Sequence, residues 1–140
     1  MLSTETPVAK VRLENDIVYL LVNGNVVFTL AQMKDHYRTV HEMTGGGMVG
    51  VLIDTRDMSY SDVSGEVLRY MADNEYVKCQ VAAALVINNL SLRMIGNIYL
   101  ELFGPKVRTR IFTSEERARN WLQEAMREWH DRNRDAGKGA

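Results

Sequence analysis

The sequence predicts an α/β domain: a mixed sheet of about five to six strands, opening as an antiparallel meander and continuing as parallel βαβ units, flanked by helices. Three observations carry this expectation. Alternating and doubly apolar runs separated by turn pairs fill the start of the chain. Two later runs, 49–53 (VGVLI) and 81–87 (VAAALVI), are apolar on both faces, the pattern of strands covered on both sides. Segments with a helical apolar period lie between and after them, as crossovers between parallel strands require.

Residues 8–14 alternate, with Val8, Lys10, Arg12 and Glu14 on a wet face and Ala9, Val11 and Leu13 on a dry one. Asn15-Asp16 is a turn pair, and 17–22 (IVYLLV) is apolar throughout, a deeper strand pairing antiparallel with the first. Asn23-Gly24 suits a tight turn with positive φ, and 26–28 (VVF) is expected to complete the meander. Thr29 and Gln32 then have capping-box spacing, and Leu30, Met33, Tyr37 and Val40 form a helical stripe that stops at Gly45-Gly46-Gly47. Between the two doubly apolar runs lies a helix carrying Val63, Val67, Tyr70, Met71 and Asn74 on one side. A third helix carries Leu92, Ile95, Tyr99, Leu102 and Phe103 and ends at Gly104-Pro105. Residues 107–112 alternate, with Arg108 and Arg110 on one face, as an edge strand tolerates. The last helix has a capping box at Thr113 and Glu116 and an apolar stripe of Ala118, Trp121, Leu122, Ala125, Met126 and Trp129. A single domain over 8–130 is expected between a flexible N-terminus, 1–7, and a frayed tail, 131–140.

Composition narrows the function classes. The 140 residues are 46% hydrophobic and 25% charged, the balance of one ordinary globular domain. Seventeen Lys and Arg against 18 Asp and Glu leave a net charge of -1, which argues against nucleic acid or an anionic membrane as partner. No apolar run reaches the roughly 18 residues of a membrane span, and no export leader is visible. The one cysteine, Cys79, has no internal partner and reads as a reduced core residue of a cytoplasmic protein.

Candidate chemistry is sparse. The triple glycine follows a helix and precedes a strand, the reverse of a phosphate-binding loop, and reads as a helix stop. His36 and His41 lie about 140° apart around a helix, so they cannot share a metal ion. Each His, including His130, reads as a surface or boundary residue; Trp121 and Trp129 read as core anchors. No metal site and no cofactor is expected. Asp54, Asp57 and Asp62 are the acids available for acid–base work, with no His or Lys in the same loop. Two features stand out. The loop from Asp57 to Gly65 follows a strand end and opens a helix that Ser61 or Asp62 is expected to cap, which is where parallel sheets place their sites. The third helix carries surplus apolar residues, Met94, Ile98 and Leu100, off its main stripe, which are expected to be buried by a second part of the fold or by a partner chain.

Val51-Leu52-Ile53-Asp54, the polar loop with Ser61-Asp62-Val63-Ser64-Gly65, Ala82-Ala83-Ala84-Leu85-Val86, and Arg110-Ile111-Phe112-Thr113 before an Ala118-x-x-Trp121-Leu122 helix together resemble the STAS/SpoIIAA-like domains, in their uncharacterised bacterial stand-alone branch. The resemblance implies a SpoIIAA-like mixed sheet, no catalysis, and regulation through an unidentified regulatory protein. In the anti-sigma-factor antagonists of that superfamily an Asp-Ser-Ser-Gly motif opens the helix after the third strand and its first Ser is phosphorylated. Asp62-Val63-Ser64-Gly65 matches at Asp62, Ser64 and Gly65, with Val63 at the acceptor position, leaving Ser61 or Ser64 as substitute acceptors. The expected partner-binding residues are thus Asp57, Ser61, Asp62 and Ser64, and the expected homodimer surface is Met94, Ile98 and Leu100. The alternative function is a small-molecule or lipid carrier, since the superfamily fold resembles the CRAL-TRIO architecture and the chain holds eight adaptable Met residues.

Overall fold

The computed structural model describes residues 2–24, 28–58 and 63–138, with backbone alone for 135–138. These form a six-stranded sheet whose strands lie side by side in chain order: β1 (Leu2–Glu5), β2 (Ala9–Glu14), β3 (Ile17–Val22), β4 (Val49–Asp54), β5 (Gln80–Val86) and β6 (Thr109–Phe112). The first three are antiparallel neighbours and β3 to β6 are parallel. Helices α1 (Leu30–Thr44), α2 (Gly65–Ala72) and α3 (Leu90–Ile98) each bridge two parallel strands, and α4 (Glu115–Lys138) follows the last strand. Because the parallel strands advance in one direction and such crossovers are right-handed, α1, α2 and α3 fall on one face of the sheet. The fold class is the one the sequence predicts.

The sheet therefore serves two separate cores. On the three-helix side, Ala9, Val11, Val18, Leu20, Val22, Val49, Val51, Ala83 and Leu85 meet Met33, Val67, Leu68 and Leu92 from the helices. On the opposite side, Ile17, Leu52, Ala82, Ala84 and Val86 meet Ala118, Leu122, Ala125 and Met126 of α4. The strict alternation in β3 and β4 is the two-residue period of strands buried on both faces. Helix α4 sits close because small residues lie beneath it: a Cβ on Gly50 would come within 3.4 Å of the Leu122 side chain.

Local chemistry fixes the joints. Asn15 and Asp16 have φ of 52° and 63°, the paired positive values of the tight β2–β3 hairpin turn. Thr29 and Gln32 close a reciprocal capping box on α1, and Gly45 ends that helix in the left-handed conformation at φ 66°. At the β6 edge, the Arg108 guanidinium lies 5.0 Å from the Trp121 ring centre, covering an aromatic that is only partly buried.

Several expectations are corrected. The N-terminus is not a loose leader: residues 2–5 form edge strand β1 on β2, and Thr6 behind it is buried. The meander's third strand is thus β1, while the 26–28 run falls mostly outside the described residues. Val8, expected on the wet face, is buried just ahead of β2, where it joins the three-helix core. Gly24 does not adopt positive φ; it is required because a Cβ there would sit 2.3 Å from the carbonyl oxygen of Asp57. The cap of α4 is Ser114, whose Oγ accepts from Arg117 N at 3.3 Å, one residue later than Thr113. Helix α4 runs on to Lys138 rather than fraying from Asp131. Trp129 is half-exposed and stands edge-on to His130 instead of anchoring the core, and Cys79 is half-buried.

Leu122→Ala removes the central knob of the α4 core and is expected to lower the unfolding free energy by roughly 2–5 kcal/mol in a urea titration. Gly24→Ala is expected to cost roughly 1–3 kcal/mol in the same assay, since backbone rather than a pliable side chain must move.

Candidate functional site

Strands β4 and β5 end side by side, and their last residues are tied together. Thr55 donates both its backbone N–H, at 3.0 Å, and its hydroxyl, at 2.7 Å, to the carbonyl of Val86. Asp54 is buried, and both of its oxygens are engaged by Arg56: Oδ1 accepts the backbone N–H at 3.0 Å and Oδ2 the guanidinium at 2.5 Å. The same guanidinium reaches Glu115 at 3.3 Å, so Arg56 fastens the end of β4 to the start of α4. This is a structural latch, with both Asp54 oxygens engaged in it. Asp57, exposed, follows with its carbonyl against Gly24.

Ser61 and Asp62 lie outside the described residues. Ser64 is exposed and is itself the cap of α2, its Oγ accepting from Val67 N at 3.2 Å, which corrects the expectation of Ser61 or Asp62 in that role. Gly65 lies beside Phe103, 3.8 Å from its ring when given a Cβ, so the start of α2 abuts the segment that continues α3. Asp57 and Ser64 are thus both exposed but differently placed, Asp57 beside the end of β3 at Gly24 and Ser64 at the start of α2 near Phe103.

The third helix supplies the main surface feature. Leu90, Met94, Ile98 and Leu102 are 75%, 58%, 44% and 78% exposed, four large apolar residues at intervals of four. Met94 and Ile98 are where the sequence places them. Leu100 is not: it packs partly buried against the three-helix core, and Leu102, expected on the core stripe, stands outside. The cause is a π-helical turn over Tyr99–Phe103. A π turn holds more residues than an α turn, so residues beyond Tyr99 lag behind the angles an α-helix would give them. The surface is therefore Leu90, Met94, Ile98 and Leu102, flanked by exposed Arg93 and Glu101.

One functional-looking residue escaped sequence reasoning. His36, expected near the surface, is 4% exposed in α1, and its Nδ1 lies 2.7 Å from the Thr6 hydroxyl. That hydroxyl accepts from Val8 N at 3.2 Å and Ala9 N at 3.1 Å and has one proton to give, to the Ala9 carbonyl at 3.3 Å or to the His36 ring at 2.7 Å; the shorter contact favours the ring, which places the imidazole's own proton on Nε2. The available signal was position: His36 stands three residues after buried Met33, inside the core stripe. Beside it runs an aromatic cluster in which the Tyr37 ring meets Tyr70 edge-on at 5.5 Å and stacks on Tyr76 at 6.3 Å. The Tyr70 hydroxyl is buried with no hydrogen-bond partner among the described residues.

Two concavities flank the sheet. An interior cavity of about 120 Å³ lies between the sheet and the three helices, with His36 and Tyr99 in its wall. An open groove of about 450 Å³ lies on the other face, beyond the part of the sheet that α4 covers; it is lined by charges of both signs, Glu5, Asp54 and Glu115 with Lys10, Arg12 and Arg56. Among the described residues no three His, Cys, Asp or Glu side chains gather as a metal-binding group, and no helix is long and apolar enough to cross a membrane.

Burial pushes the His36 pKa down to about 4 from the ordinary 6.5, with Asp35 pulling weakly the other way. The neutral folded form is undisturbed above pH 6.5. Below it the unfolded chain takes up a proton that the folded chain refuses, so stability falls between pH 6.5 and 4, by roughly 3 kcal/mol at the lower end. Urea titrations across this range are expected to show that loss in the wild type and to lack it in His36→Gln.

No curated protein is similar enough to match this chain. Residues 11–126, from within β2 to within α4, match the family described as Domain of unknown function (DUF7793), and the chain belongs to that family.

Proposed function

We propose that this protein is a non-enzymatic regulatory or scaffolding module of the cytoplasm that acts through protein–protein contacts, in the manner the resemblance to STAS domains implies. The observation that carries the reading is the row Leu90, Met94, Ile98 and Leu102 on one exposed helix face. Each large apolar side chain left in water forgoes about 1.5–3 kcal/mol that full burial would return. Such residues scattered singly mean little, but a contiguous row rimmed by polar groups is the composition of an interface.

The occupant argued here is a second copy of the chain. In an antiparallel pairing about a two-fold axis, Leu90 meets the second copy's Leu102 and Met94 meets its Ile98, because the row is symmetric about its midpoint. Arg93 and Glu101 are symmetric about nearly the same point, so each Arg then faces a Glu. A self-complementary surface of this kind is what an isologous dimer needs. The dimer leaves the exposed Asp57 and Ser64 for a regulatory protein. The small-molecule or lipid carrier alternative has less support: the apolar cavity, at about 120 Å³, is smaller than the roughly 300–1,000 Å³ of drug-sized ligand pockets, and the 450 Å³ groove on the other face is open and lined by charged residues.

Light scattering at tens of micromolar is expected to give a dimer mass for the wild type and a monomer mass for Met94→Glu with Ile98→Glu. Arg93→Glu and Glu101→Arg are each expected to weaken the dimer, and the two combined to restore it. A monomeric wild type would sink the self-association, and a double swap that fails to restore it would sink the antiparallel register. In pull-downs, Asp57→Ala and Ser64→Asn, the latter keeping a capping side chain, are expected to lose a partner that the wild type retains; an unchanged set of bound proteins counts against these residues as the contact.

A further inference from the structure

The apolar cavity between the sheet and the three helices is large for a domain of this size. At about 120 Å³ it approaches the roughly 150 Å³ of apolar cavities that stay dry and take up benzene. Its wall is almost wholly apolar, built from sheet residues such as Leu85, helix residues such as Leu92, and the methionines Met33, Met58 and Met71, whose unbranched side chains adapt to a guest. No charged side chain lines it among the described residues. The polar members of the wall are few. They are Thr55, His36, Tyr37 and Tyr99; the Thr55 hydroxyl is spent on the Val86 carbonyl, and His36 has Nδ1 occupied by Thr6, which leaves its Nε2–H as a donor.

The cavity has a structural cause rather than being a packing accident. At Gly96 helix α3 lies so close to the sheet that a Cβ would meet Ile87 and Ile111 at 3.0 Å. One turn later the π-helical segment begins at Tyr99, which forms part of the cavity wall. The helix is thus pressed down at one point and its packing broken at the next, and space opens beside the break. Such single π turns inside helices gather at functional sites.

We propose that this cavity is a binding site for one small, uncharged, ring-sized apolar molecule bearing a hydrogen-bond acceptor, which takes the Nε2–H of His36. The volume admits a single ring and excludes a fatty acyl chain. An uncharged wall rejects carboxylates and amines, whose burial without a counter-charge is strongly unfavourable. A neutral imidazole offers one donor, so a ketone oxygen is favoured over a plain hydrocarbon of the same size. The site needs nothing from the outer face of α3, so failure of the dimer leaves it standing, and its own failure leaves the dimer standing.

The test titrates the full-length chain with cyclohexanone, benzene, benzoate and decanoate, reading the methionine methyl signals by NMR and the melting temperature. Cyclohexanone and benzene are expected to shift the Met33, Met58 and Met71 methyls in a saturable one-to-one manner and to raise the melting temperature, with benzoate and decanoate doing neither. His36→Leu is expected to weaken cyclohexanone about tenfold relative to benzene. Leu92→Phe, which fills the space, is expected to abolish both. Should that variant fail to fold, xenon under pressure provides a second reading on the wild type, with shifts confined to the same methyls expected. No saturable response to either neutral ring or to xenon overturns the site; equal binding of benzoate or decanoate overturns its ligand class; an unchanged cyclohexanone-to-benzene ratio in His36→Leu overturns the role given to His36.

Discussion

The closeness of one long helix to one face of the sheet governs the rest of the structure. Gly50, Ala82 and Ala84 present almost no side chain toward α4, so Ala118, Leu122, Ala125 and Met126 settle directly on the strand backbones. Close contact of this kind maximises dispersion per residue and tolerates little change in volume. It also places the helix mainly over β4 and β5, leaving the outer face of β1 and β2 uncovered, and there Lys10 and Arg12 accordingly alternate with core residues. The Asp54–Arg56–Glu115 latch belongs to the same contact: it sets where α4 begins relative to β4.

The opposite face solves its burial differently. Three short helices cover it, and α2 is only eight residues long. Short helices joined by crossovers meet the twisted sheet at points rather than along their length, and larger side chains have to fill the intervals. Tyr37, Tyr70 and Tyr76 do so between α1 and the region after α2, and the methionines do so nearer the sheet. Filling is incomplete, as the cavity and the Tyr70 hydroxyl, without a hydrogen-bond partner among the described residues, record. One face is therefore dense, while the other retains room, a buried histidine and an interrupted helix.

Much of this was legible in the sequence, and the failures have physical reasons. Strands buried on both faces announce themselves, and 49–53 and 81–87 nearly coincide with β4 and β5. The α4 stripe was readable because a helix on one flat core must repeat at 3.6 residues. Strand β1 was not, because the edge strand LSTE is held by backbone pairing to β2 while its side chains face solvent with no alternation to read. Gly24 reads as a turn glycine, yet its constraint is a carbonyl 33 positions away in the chain, which no local pattern contains. For the candidate surface, Met94 and Ile98 were visible as surplus apolar residues, whereas the exchange of Leu100 for Leu102 depends on a π turn that has no composition of its own. Of the loop residues, Ser64 turns out to serve the helix it precedes.

The two faces of α3 connect these points. Its inner side, Leu92 and Tyr99, closes the looser core, and its outer side, Leu90, Met94 and Ile98, meets solvent. A helix that was only structural would gain from polar residues at the outer positions, since they cost nothing there and keep the chain soluble. Leucine and methionine in their place are favourable only if the face is covered for part of the time. The same helix is pressed tightly to the sheet at Gly96 and loosened by the π turn one turn later, so its C-terminal half is held less firmly than its middle. Docking of the second copy proposed for this face would load a helix with a built-in break, which is one physical form in which contact on one side of a small domain can reach the other.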